Sequence, residues 1–590
     1  MPDKVIDQTD AQRVRVLMNQ LLDFHRRAAK PAWWSLFARQ AMTPEELLED
    51  PECIAGLTLL SVQTGPNSSS QQTTRYTYPE QDFKLRSGDD CVRTDTAESL
   101  GKLGDIDEDT RTLNIKISAR KQAPDSVSIS TGGPINTDVI SKAVFRQADA
   151  LLAGNGKFQA ALDFLAKAAP RITGHTPGHP IIDETRPALP QIFDAVARLD
   201  HSTLFIQGPP GAGKTFTGSR LIASLLSRGH SVGVSSNSHK AIHNLLEAVE
   251  KEANAMQLQF SGAYKGSSQS TGSDFVSTRI KAMTRTEDIT RALAGGTVKL
   301  VAGTAWLFSA PDMEQKLDYL FVDEAGQVAT ANLLAMMTSS ANVILLGDQM
   351  QLGQPTQGVR PGESGLSALD FLLEGQATIA PDRGIFLATT WRMHEDVCRF
   401  ISDAVYDSRL QPEPDNAKQR LVLNNTAHPL LRPTGLVHVP AVHEGCAQRS
   451  EEEANIVADL YNSLLTQRYQ DRHGQEHDMG IANILVVAPY NMQVELLRRK
   501  LPPDARVGTV DKFQGQEAEV AIVSMATSNS DSMPRHIEFL YSKNRLNVAI
   551  SRAHCLALLV ANPALADISC STVEQMGLVN LLCKAVGYGD

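Results

Sequence analysis

Residues 203–215 read TLFIQGPPGAGKT, and this stretch decides the fold of the chain. The apolar run 203–207 predicts a short buried strand. The next eight residues fit the pattern G-x-x-x-x-G-K-[ST], whose glycines let backbone N–H groups converge on phosphate oxygens. This phosphate loop consists of Gly208, Pro209, Pro210, Gly211, Ala212, Gly213, Lys214 and Thr215. The sequence therefore predicts a nucleoside-triphosphate site.

The segment after the loop completes this site. Residues 216–228 have helical apolar spacing and end before Gly229, and the positive end of the helix dipole would face the phosphates. Lys214 is expected to reach the β and γ phosphates of ATP, and Thr215 is expected to hold Mg²⁺. A chance glycine-rich turn is the alternative, but it does not require the strand before it and the helix after it. The loop predicts hydrolysis without saying what the hydrolysis drives.

Composition sets the broad class of the protein. A chain of 590 residues with 42% hydrophobic residues should hold three or four domains with substantial cores. No run of 18 apolar residues occurs, so we expect no membrane span. Seven cysteines without a C-x-x-C pair favour reduced thiols and a cytoplasmic location. The net charge of −11 gives nucleic-acid binding no support but leaves room for a locally basic groove.

Short apolar runs alternate with helical patterns over most of the chain, which predicts parallel sheets with helices on both faces. The strands predicted for a first block are 203–207, 232–236, 298–302, 318–323 and 343–347. Those predicted for a second block are 435–439, 483–488, 506–510, 519–525 and 556–560. The predicted fold class is therefore α/β with two such domains in tandem, and we expect ATP to bind in the cleft between them.

The region before these blocks has a different pattern. Residues 11–29 have helical spacing, and Thr43 followed by Pro44 is typical of a helix start. Residues 62–74 are polar and predict a flexible loop, as do residues 261–273 further along the chain. Short strands are predicted in 77–90 and 101–117, joined by Gly/Asp turns, so a small β-barrel is plausible. A structural module with an acidic, solvated face is the alternative.

Two strands of the first block end in polar groups suited to phosphate chemistry. The segment LFVDE at 320–324 ends in adjacent carboxylates, which at the carboxyl edge of a parallel sheet would lie where ligands bind. We assign Asp323 to the metal and Glu324 to the attacking water. After the last strand of the block, Gln349 is placed to sense the γ phosphate and Asp348 to support it. For the segment with Asp348 and Gln349, the alternative is a structural Gly-Asp turn without a role in phosphate binding.

The cleft also needs an adenine contact and cations from its far side. Gln191 lies upstream of the phosphate loop, where its carboxamide could pair with the edge of adenine. Arg392 and Arg552 lie in apolar settings of the second block. Lone arginines are usually structural, but an arginine that neutralises transition-state charge is worth about 10³–10⁵ in rate.

Together these segments resemble the superfamily 1B helicases, in particular the nonsense-mediated-decay helicase group. Ten segments match in the family's order: Gln191, GPPGAGKT (208–215), SSNSHKAIHNLL (235–246), GTAWLF (303–308), VDEAGQ (322–327), GDQMQLGQP (347–355), TWRMH (390–394), VVAPYNMQVELL (486–497), VGTVDKFQGQEAEVAIVS (507–524) and RLNVAISRA (545–553). The resemblance implies two RecA-like domains, ATP hydrolysis between them, and 5′-to-3′ movement along single-stranded nucleic acid.

The resemblance also implies a role for each matching residue. It makes Gln191 the adenine contact, Lys214 and Thr215 the phosphate-loop pair, Asp323 and Glu324 the metal and water carboxylates, Gln349 the γ-phosphate sensor, Arg392 and Arg552 the arginine fingers, and Glu517 a nucleotide contact. Thr304, Pro489 and Thr509 match positions near the nucleic-acid path. Trp391 stands where the family commonly has tyrosine, and its indole would stack on adenine.

The domain division that follows is an N-terminal helical region at 1–70, a small barrel like the family's 1B domain at 71–125, a helical stalk or connector at 126–190, and RecA-like domains at 191–380 and 381–590. Residues 21–52 resemble the region that precedes the helicase in bacterial RecB-like nuclease–helicase fusions. No convincing nuclease motif precedes the phosphate loop, so a nuclease component would lie upstream or on a separate chain.

These observations predict an ATP-dependent helicase or translocase that acts as a monomer, uses Mg²⁺, and prefers single-stranded DNA. The preference for DNA rests only on the resemblance to the nuclease–helicase fusions. An RNA helicase is the alternative within the same class, because the deciding 2′-hydroxyl contacts cannot be read from sequence. An ATP-gated clamp that binds nucleic acid without unwinding it is the alternative from another class.

Overall fold

A computed structural model of the chain describes residues 9–64, 70–107, 110–266, 275–353, 360–513, 515–529 and 537–587. The chain forms two compact units. The larger unit consists of Met1–Leu21, Val139–Pro355 and Gly362–Asp590, and the smaller unit of Leu22–Asp138 and Thr356–Pro361. None of the helices in the described ranges is both long and apolar enough to span a membrane.

The helical pattern predicted over 11–29 forms two helices that meet at Asp23, and the second continues beyond the predicted end. Helix α1 (Asp10–Leu22) buries the side chains of its apolar face. Helix α2 (Phe24–Gln40) follows in the smaller unit, and α3 (Pro44–Glu49) begins with a complete capping box. In that box the Thr43 hydroxyl accepts from the Glu46 N–H, and the Glu46 carboxylate accepts from the Thr43 N–H. The helix start predicted at Thr43 is therefore confirmed.

The smaller unit contains a closed six-stranded barrel with the strand order β1-β2-β5-β4-β3-β6. Its strands are β1 (Cys53–Thr64), β2 (Gln71–Thr77), β3 (Asp90–Arg93), β4 (Ser99–Asp107), β5 (Thr112–Ser118) and β6 (Ser126–Thr131). All neighbouring strands are antiparallel. The inward-facing residues, which include Tyr76, Ile115 and Ile129, form one apolar core.

The barrel corrects several expectations about this region. It begins at Cys53 and ends at Thr131, beyond both limits of the predicted 71–125, because its first and last strands pair with each other. The polar residues 62–64 and 71–74, predicted as loop, pair in β1 and β2, and residues 65–69 lie outside the described part. No strand forms at 79–88, where Pro79 lacks a backbone N–H.

After the barrel, the chain forms α4 (Asp138–Ala153) and α5 (Gln159–Leu165), and then an eight-stranded parallel sheet in the order β10-β9-β11-β8-β12-β13-β7-β14. Its strands are β7 (Thr203–Gln207), β8 (Val232–Ser235), β9 (Gly262–Lys265), β10 (Ile280–Met283), β11 (Leu300–Ala302), β12 (Leu317–Val322), β13 (Ser340–Gly347) and β14 (Gly384–Phe386). Its helices are α6 (Ala188–Ala197), α7 (Lys214–Ser227), α8 (His239–Ala255), α9 (Thr286–Ala294), α10 (Ala305–Phe308), α11 (Thr330–Met336) and α12 (Ala368–Leu373).

A second parallel sheet, in the order β18-β24-β23-β21-β22, follows in the same unit. The sequence that connects the two sheets contains α13 (Glu395–Val405) and three short strands that belong to neither sheet. These strands are β15 (Thr389–Thr390), β16 (Gln411–Pro412) and β17 (Arg420–Val422). The second block continues with β18 (Gly435–Pro440), α14 (Glu451–Leu464), β19 (Arg468–Gln470), β20 (Glu476–Asp478), β21 (Ile484–Val487), α15 (Asn491–Lys500), β22 (Arg506–Gly508), β23 (Ala518–Ser524), α16 (Ile537–Leu540), α17 (Lys543–Ile550), β24 (Ala553–Ala561) and α18 (Val573–Val586).

The predicted α/β fold class with two tandem parallel-sheet domains is confirmed, and all ten predicted strands form. The boundary between the domains needs one correction. Strand β14 lies after the expected limit at residue 380, yet it pairs with β7 and so completes the first sheet. The polar insertion predicted at 261–273 is partly β9, because Ala263 and Tyr264 are buried between β10 and β11. Residues 267–273 of that insertion lie outside the described part.

Candidate active site

The phosphate loop joins β7 to α7 at the carboxyl edge of the first sheet. Gly211 and Gly213 have φ values of +72° and +80°, a region that favours glycine. The Lys214 ammonium folds back over the loop and donates a 2.6 Å hydrogen bond to the Gly208 carbonyl. The Thr215 side chain is exposed at the first turn of α7. The lysine and the hydroxyl thus lie at the N-terminal end of α7, directly after the glycines of the loop.

The two carboxylates predicted for metal and water follow β12 at the same edge. Asp323 is buried, and Glu324 has the left-handed backbone conformation, with φ +51°. The Glu324 N–H donates to the Asp323 carboxylate at 2.9 Å. Burial, followed by the charge of Glu324, raises the pKa of Asp323 to about 7, while Lys214 acts in the opposite direction. These carboxylates are therefore close neighbours of the phosphate-loop lysine.

The segment Thr390–Trp391–Arg392 packs directly on the phosphate loop. The Thr390 hydroxyl donates to the Pro210 carbonyl at 3.0 Å, and the Trp391 N–H donates to the Gly211 carbonyl at 2.9 Å. A Cβ placed on Gly211 would lie 2.5 Å from the Cβ of Arg392. A glycine is therefore required at this contact, which brings Arg392 to the phosphate site.

Arg392 also reaches the second sheet. Its Nε donates to the Glu517 carboxylate at 2.7 Å, and its Nη1 donates to the Ser551 carbonyl at 3.1 Å. Hydrogen bonding to His554 contributes most to lowering the pKa of Glu517 to about 2, and the charge of Arg392 adds to it. Arg392 thus bridges the phosphate loop to the end of α17.

Arg552 lies next to this bridge and is almost fully buried. Its Nε donates to the Val548 carbonyl and its Nη1 to the Gln516 carbonyl, whereas its buried Nη2 has no hydrogen-bond partner among the residues that the structure describes. Burial, together with the charge of Arg392, lowers the pKa of Arg552 to about 9, and Glu324 opposes the shift. A guanidinium with an unused buried N–H is suited to donate a hydrogen bond to a phosphate oxygen.

The predicted γ-phosphate sensor Gln349 and the nearby Gln351 have different hydrogen-bond partners in the structure. The carboxamide of Gln349 is engaged by neighbouring groups: it donates to the Ala377 carbonyl at 2.6 Å and accepts from Gln207 at 3.0 Å. Gln351 instead donates to the Asp348 carboxylate at 2.9 Å, and Lys214 is close enough to Asp348 to influence its pKa. The contact with Asp348 makes Gln351 a second candidate for this role, and the sensor role of Gln349 stays a prediction.

Asp348 is the centre of a buried network that joins the two sheets. The Tyr406 hydroxyl donates to Asp348 at 2.6 Å and accepts from the Asn547 amide at 2.9 Å. Asn547 also donates to the Met350 carbonyl at 2.8 Å. The loop after β13 is thus tied to α17, the helix that precedes Arg552. Sequence reasoning missed Tyr406 and Asn547, although Asn547 lies inside one of the matching segments.

The adenine contact shows a different arrangement from the one expected. The Gln191 carboxamide is held by its own connector: it accepts from the Asp183 N–H and donates to the Asp183 and Pro187 carbonyls. In this structure Gln191 therefore fixes the loop before α6. The Trp391 indole is half exposed, with the Arg472 guanidinium 5.4 Å from its ring centroid.

A pocket of about 240 Å³ adjoins Trp391. Arg392, Tyr469, Glu517 and His554 also line it, so it opens beside the bridge from the phosphate loop to the second sheet. Its lining joins aromatic rings to charged groups, which suits a base or a sugar with hydroxyl groups.

The three residues predicted near the nucleic-acid path each follow a parallel strand. Thr304 comes after β11 in the first sheet, and its side chain makes no cap hydrogen bond to α10. Pro489 and Thr509 come after β21 and β22, which are neighbours in the second sheet. All three therefore lie at the carboxyl edge of their own sheets, and their contact with nucleic acid stays a prediction.

The donor set fits Mg²⁺. Thr215 and Asp323 supply oxygen atoms, the ligands that this hard cation prefers. The repulsion between Asp323 and Glu324, which contributes to the raised pKa, would be relieved by a cation beside them. The fit rests on these groups alone.

Comparisons with known proteins agree with this geometry. Two family models, each described as an AAA domain, match residues 190–362 and 369–564. The chain is 30% identical over 249 residues to DNA polymerase alpha-associated DNA helicase A of Schizosaccharomyces pombe, covering 40% of this chain and 36% of that protein. It is 25% identical over 401 residues to the DNA replication ATP-dependent helicase/nuclease JHS1 of Arabidopsis thaliana, covering 64% and 29%.

Among solved structures, the arterivirus nonstructural protein 10 helicase in complex with DNA covers 91% of this chain and 82% of its own at 14% identity, with a TM-score of 0.40. The chain spans about a third of the length of the two curated relatives. The family models and the curated relatives confirm the resemblance to the superfamily 1B helicases.

Proposed function

We propose that this chain, which carries two AAA domains and resembles the superfamily 1B helicases, is an ATP-dependent helicase or translocase on single-stranded nucleic acid, with DNA preferred. The observation that carries the proposal is the packing of Thr390–Trp391–Arg392 on the phosphate loop. This packing brings Arg392 to the phosphate loop, and Arg552 lies close enough to Glu324 for that carboxylate to influence its pKa. Such an arrangement makes hydrolysis depend on how the two sheets approach each other, which is what a motor requires.

Each group then has a chemical role. Lys214 leaves the Gly208 carbonyl to bind the β and γ phosphates, and Glu324 orients the attacking water. Arg392 and Arg552 neutralise the charge that develops on the γ phosphate. Gln351 reports the state of that phosphate through Asp348. Mg²⁺, held by Thr215 and Asp323, supplies further charge neutralisation when it is bound.

The nucleotide-binding part of the proposal adds two assignments. Trp391 stacks on the base, and Glu517 binds the sugar. For Gln191 to contact adenine, its carboxamide must give up its hydrogen bonds to the carbonyls of Asp183 and Pro187 and bond to the base instead. Thr304, Pro489 and Thr509 lie along the strand path.

The preference for DNA is supported by the names of the relatives, which are DNA helicases. We further propose that the chain moves in the 5′-to-3′ sense, that it is a monomer, that it works with a separate nuclease component, and that it is located in the cytoplasm.

The decisive experiment measures steady-state ATP hydrolysis alone and with single-stranded DNA, single-stranded RNA or duplex DNA, beside Glu324→Gln as the inactive control. We expect stimulation by single-stranded DNA that is absent in the variant. Equal stimulation by RNA would replace the DNA preference with the RNA alternative. Stimulated hydrolysis without opening of a tailed duplex would favour a translocase or an ATP-gated clamp, and movement along the strand would separate these two. Absence of hydrolysis under every condition would overturn the proposal.

A further inference from the structure

The outward side of helix α2 in the smaller unit presents aromatic rings and cations together. Trp33, Trp34 and Phe37 are 44%, 70% and 49% exposed. At 3.6 residues per turn, Arg26 and Lys30 lie on the same side of the helix as these rings, within about a third of its circumference. Because the helix rises 1.5 Å per residue, the face from Arg26 to Phe37 is about 16 Å long.

The other side of α2 holds the helix in place. Phe24, His25, Leu36 and Arg39 are buried there, and Arg39 pairs with Asp50 at 2.8 Å. The exposed rings are therefore not needed to bury this helix. Single exposed apolar side chains are common, but several large ones next to each other in solvent usually mark an interaction surface.

The charge of this face differs from that of the whole chain. Residues 24–44 contain no Asp or Glu, although the chain carries a net charge of −11. Arg26 and Arg27 share one carboxylate, that of Asp23, and Lys30 is exposed. Three cations against one carboxylate leave a local excess of positive charge, which is complementary to a polyanion.

The rings are arranged for stacking. The ring centroids of Trp33 and Phe37 are 5.8 Å apart, and their planes differ by only 19°. Trp33 also rests against the loop after β6, where a Cβ on Gly133 would lie 3.6 Å from the indole. One ring is thus braced, and the more exposed Trp34 stands beside it.

We infer that the α2 face, defined as Arg26, Lys30, Trp33, Trp34 and Phe37, is a binding surface for single-stranded nucleic acid. Bases stack on the aromatic rings, and phosphates lie on Arg26 and Lys30. Stacking of this kind tolerates any sequence because every base has a π-face. The inference rests on the proposed function, since it adds a second contact for the same strand outside the two parallel-sheet domains.

The test compares binding of a fluorescein-labelled oligo(dT) to the full chain and to variants by anisotropy, at several salt concentrations. Trp34→Ala is expected to weaken binding about tenfold and to leave the salt dependence unchanged. Lys30→Ala is expected to reduce the slope of log affinity against log salt by about 0.7. Phe145→Ala, which removes a 51% exposed ring from α4, is the matched control and should bind like the wild type.

The outcomes separate this inference from the proposed function. ATP hydrolysis without nucleic acid should be the same in all these proteins. Suppose that the wild type binds the oligonucleotide and hydrolyses ATP faster in its presence. If Trp34→Ala and the Trp33/Trp34/Phe37 triple alanine variant then bind it with the same affinity and are stimulated to the same extent, the α2 face serves another macromolecule and the inference is wrong. If the wild type neither binds the strand nor responds to it, the proposed function fails and the inference fails with it.

Discussion

The hydroxyl of Tyr406 donates a 2.6 Å hydrogen bond to Asp348, and both side chains are buried. The same hydroxyl accepts from Asn547, which lies on the helix before Arg552. Burial and the neighbouring carboxylate raise the pKa of Tyr406 well above that of a free tyrosine, so the phenol remains a donor throughout the physiological range. One oxygen atom therefore connects the loop after β13 to α17, the helix that precedes Arg552.

Tyr406→Phe should impair both stability and turnover. The change leaves Asp348 and Asn547 each without one buried partner, which costs about 1–3 kcal/mol. It also removes the hydrogen bonds that link the loop of Gln351 to the helix before Arg552. ATP hydrolysis stimulated by single-stranded DNA should therefore fall more than the affinity for ATP does. Thermal unfolding and steady-state hydrolysis measure the two effects.

The chain offers a matched control for this substitution. The buried hydroxyl of Tyr461 has no hydrogen-bond partner in the described part of the chain, so Tyr461→Phe should change neither quantity appreciably. Equal effects of the two substitutions would mean that the Tyr406 hydroxyl has no special role in the link.

Gln351 and Gln349 should behave differently on substitution. Gln351→Ala removes the proposed γ-phosphate contact and should lower kcat about 10²-fold, as the loss of one preorganised donor does elsewhere. Because it also removes a buried donor from Asp348, it should lower the free energy of unfolding by about 1–3 kcal/mol. Gln349→Ala removes partners of Gln207 and Ala377 and should lower the unfolding temperature while kcat changes little. The reverse pattern would return the sensor role to Gln349.

This pair shows how far the sequence could predict the site. The strands of both sheets were predictable because each is a nearly continuous apolar run, as expected for strands buried on both faces. The two glutamines lie in the same polar loop, and only the tertiary partner Gln207 on β7 distinguishes them. Strands β9 and β10 were missed because each contains a lysine and neither is a continuous apolar run; they and the missed β14 are fixed by their pairing with neighbouring strands.

Gly211→Ala should disrupt the approach of Arg392 to the phosphate loop. The added Cβ would clash with the Arg392 Cβ and with the Thr390 hydroxyl, at 2.5 and 2.7 Å. Because a displacement of about 1 Å can cost 10²-fold in rate, kcat/KM for ATP should fall by about that factor. Gly229→Ala shares the left-handed backbone, with φ +85°, but meets open space, so it controls for backbone strain. Similar activities of the two variants would argue against this contact.

Arg552→Ala should separate ATP binding from hydrolysis. Loss of an arginine that acts only on transition-state charge is expected to lower turnover by about 10³-fold or more. Binding of a fluorescent ATP analogue should change far less, because Lys214 and the loop remain. Arg399→Ala removes an exposed arginine from α13 and serves as the control. Unchanged turnover in Arg552→Ala would remove this residue from the site.

The pH dependence of stability should identify the charge on His554. Its ring nitrogens lie 3.6 Å from Glu517 and 3.5 Å from Glu519. Burial opposes a charge there, but hydrogen bonds to the two carboxylates outweigh it and raise the pKa of His554 above that of a free histidine. A raised folded-state pKa stabilises the protein fully below the unfolded value of about 6.5, and this stabilisation is lost as the pH rises through the folded value.

The wild type should therefore exceed His554→Gln in unfolding temperature most clearly near pH 6, and the difference should shrink towards pH 9. A loss of roughly 1 kcal/mol corresponds to about 2–4 °C for a domain of 150–250 residues. Glu519→Gln removes one of the two carboxylates and should reduce the same pH dependence without abolishing it. If the difference between the wild type and His554→Gln stays constant or grows with pH, His554 is not held as a cation, and the position of Glu517 then depends on Arg392 alone.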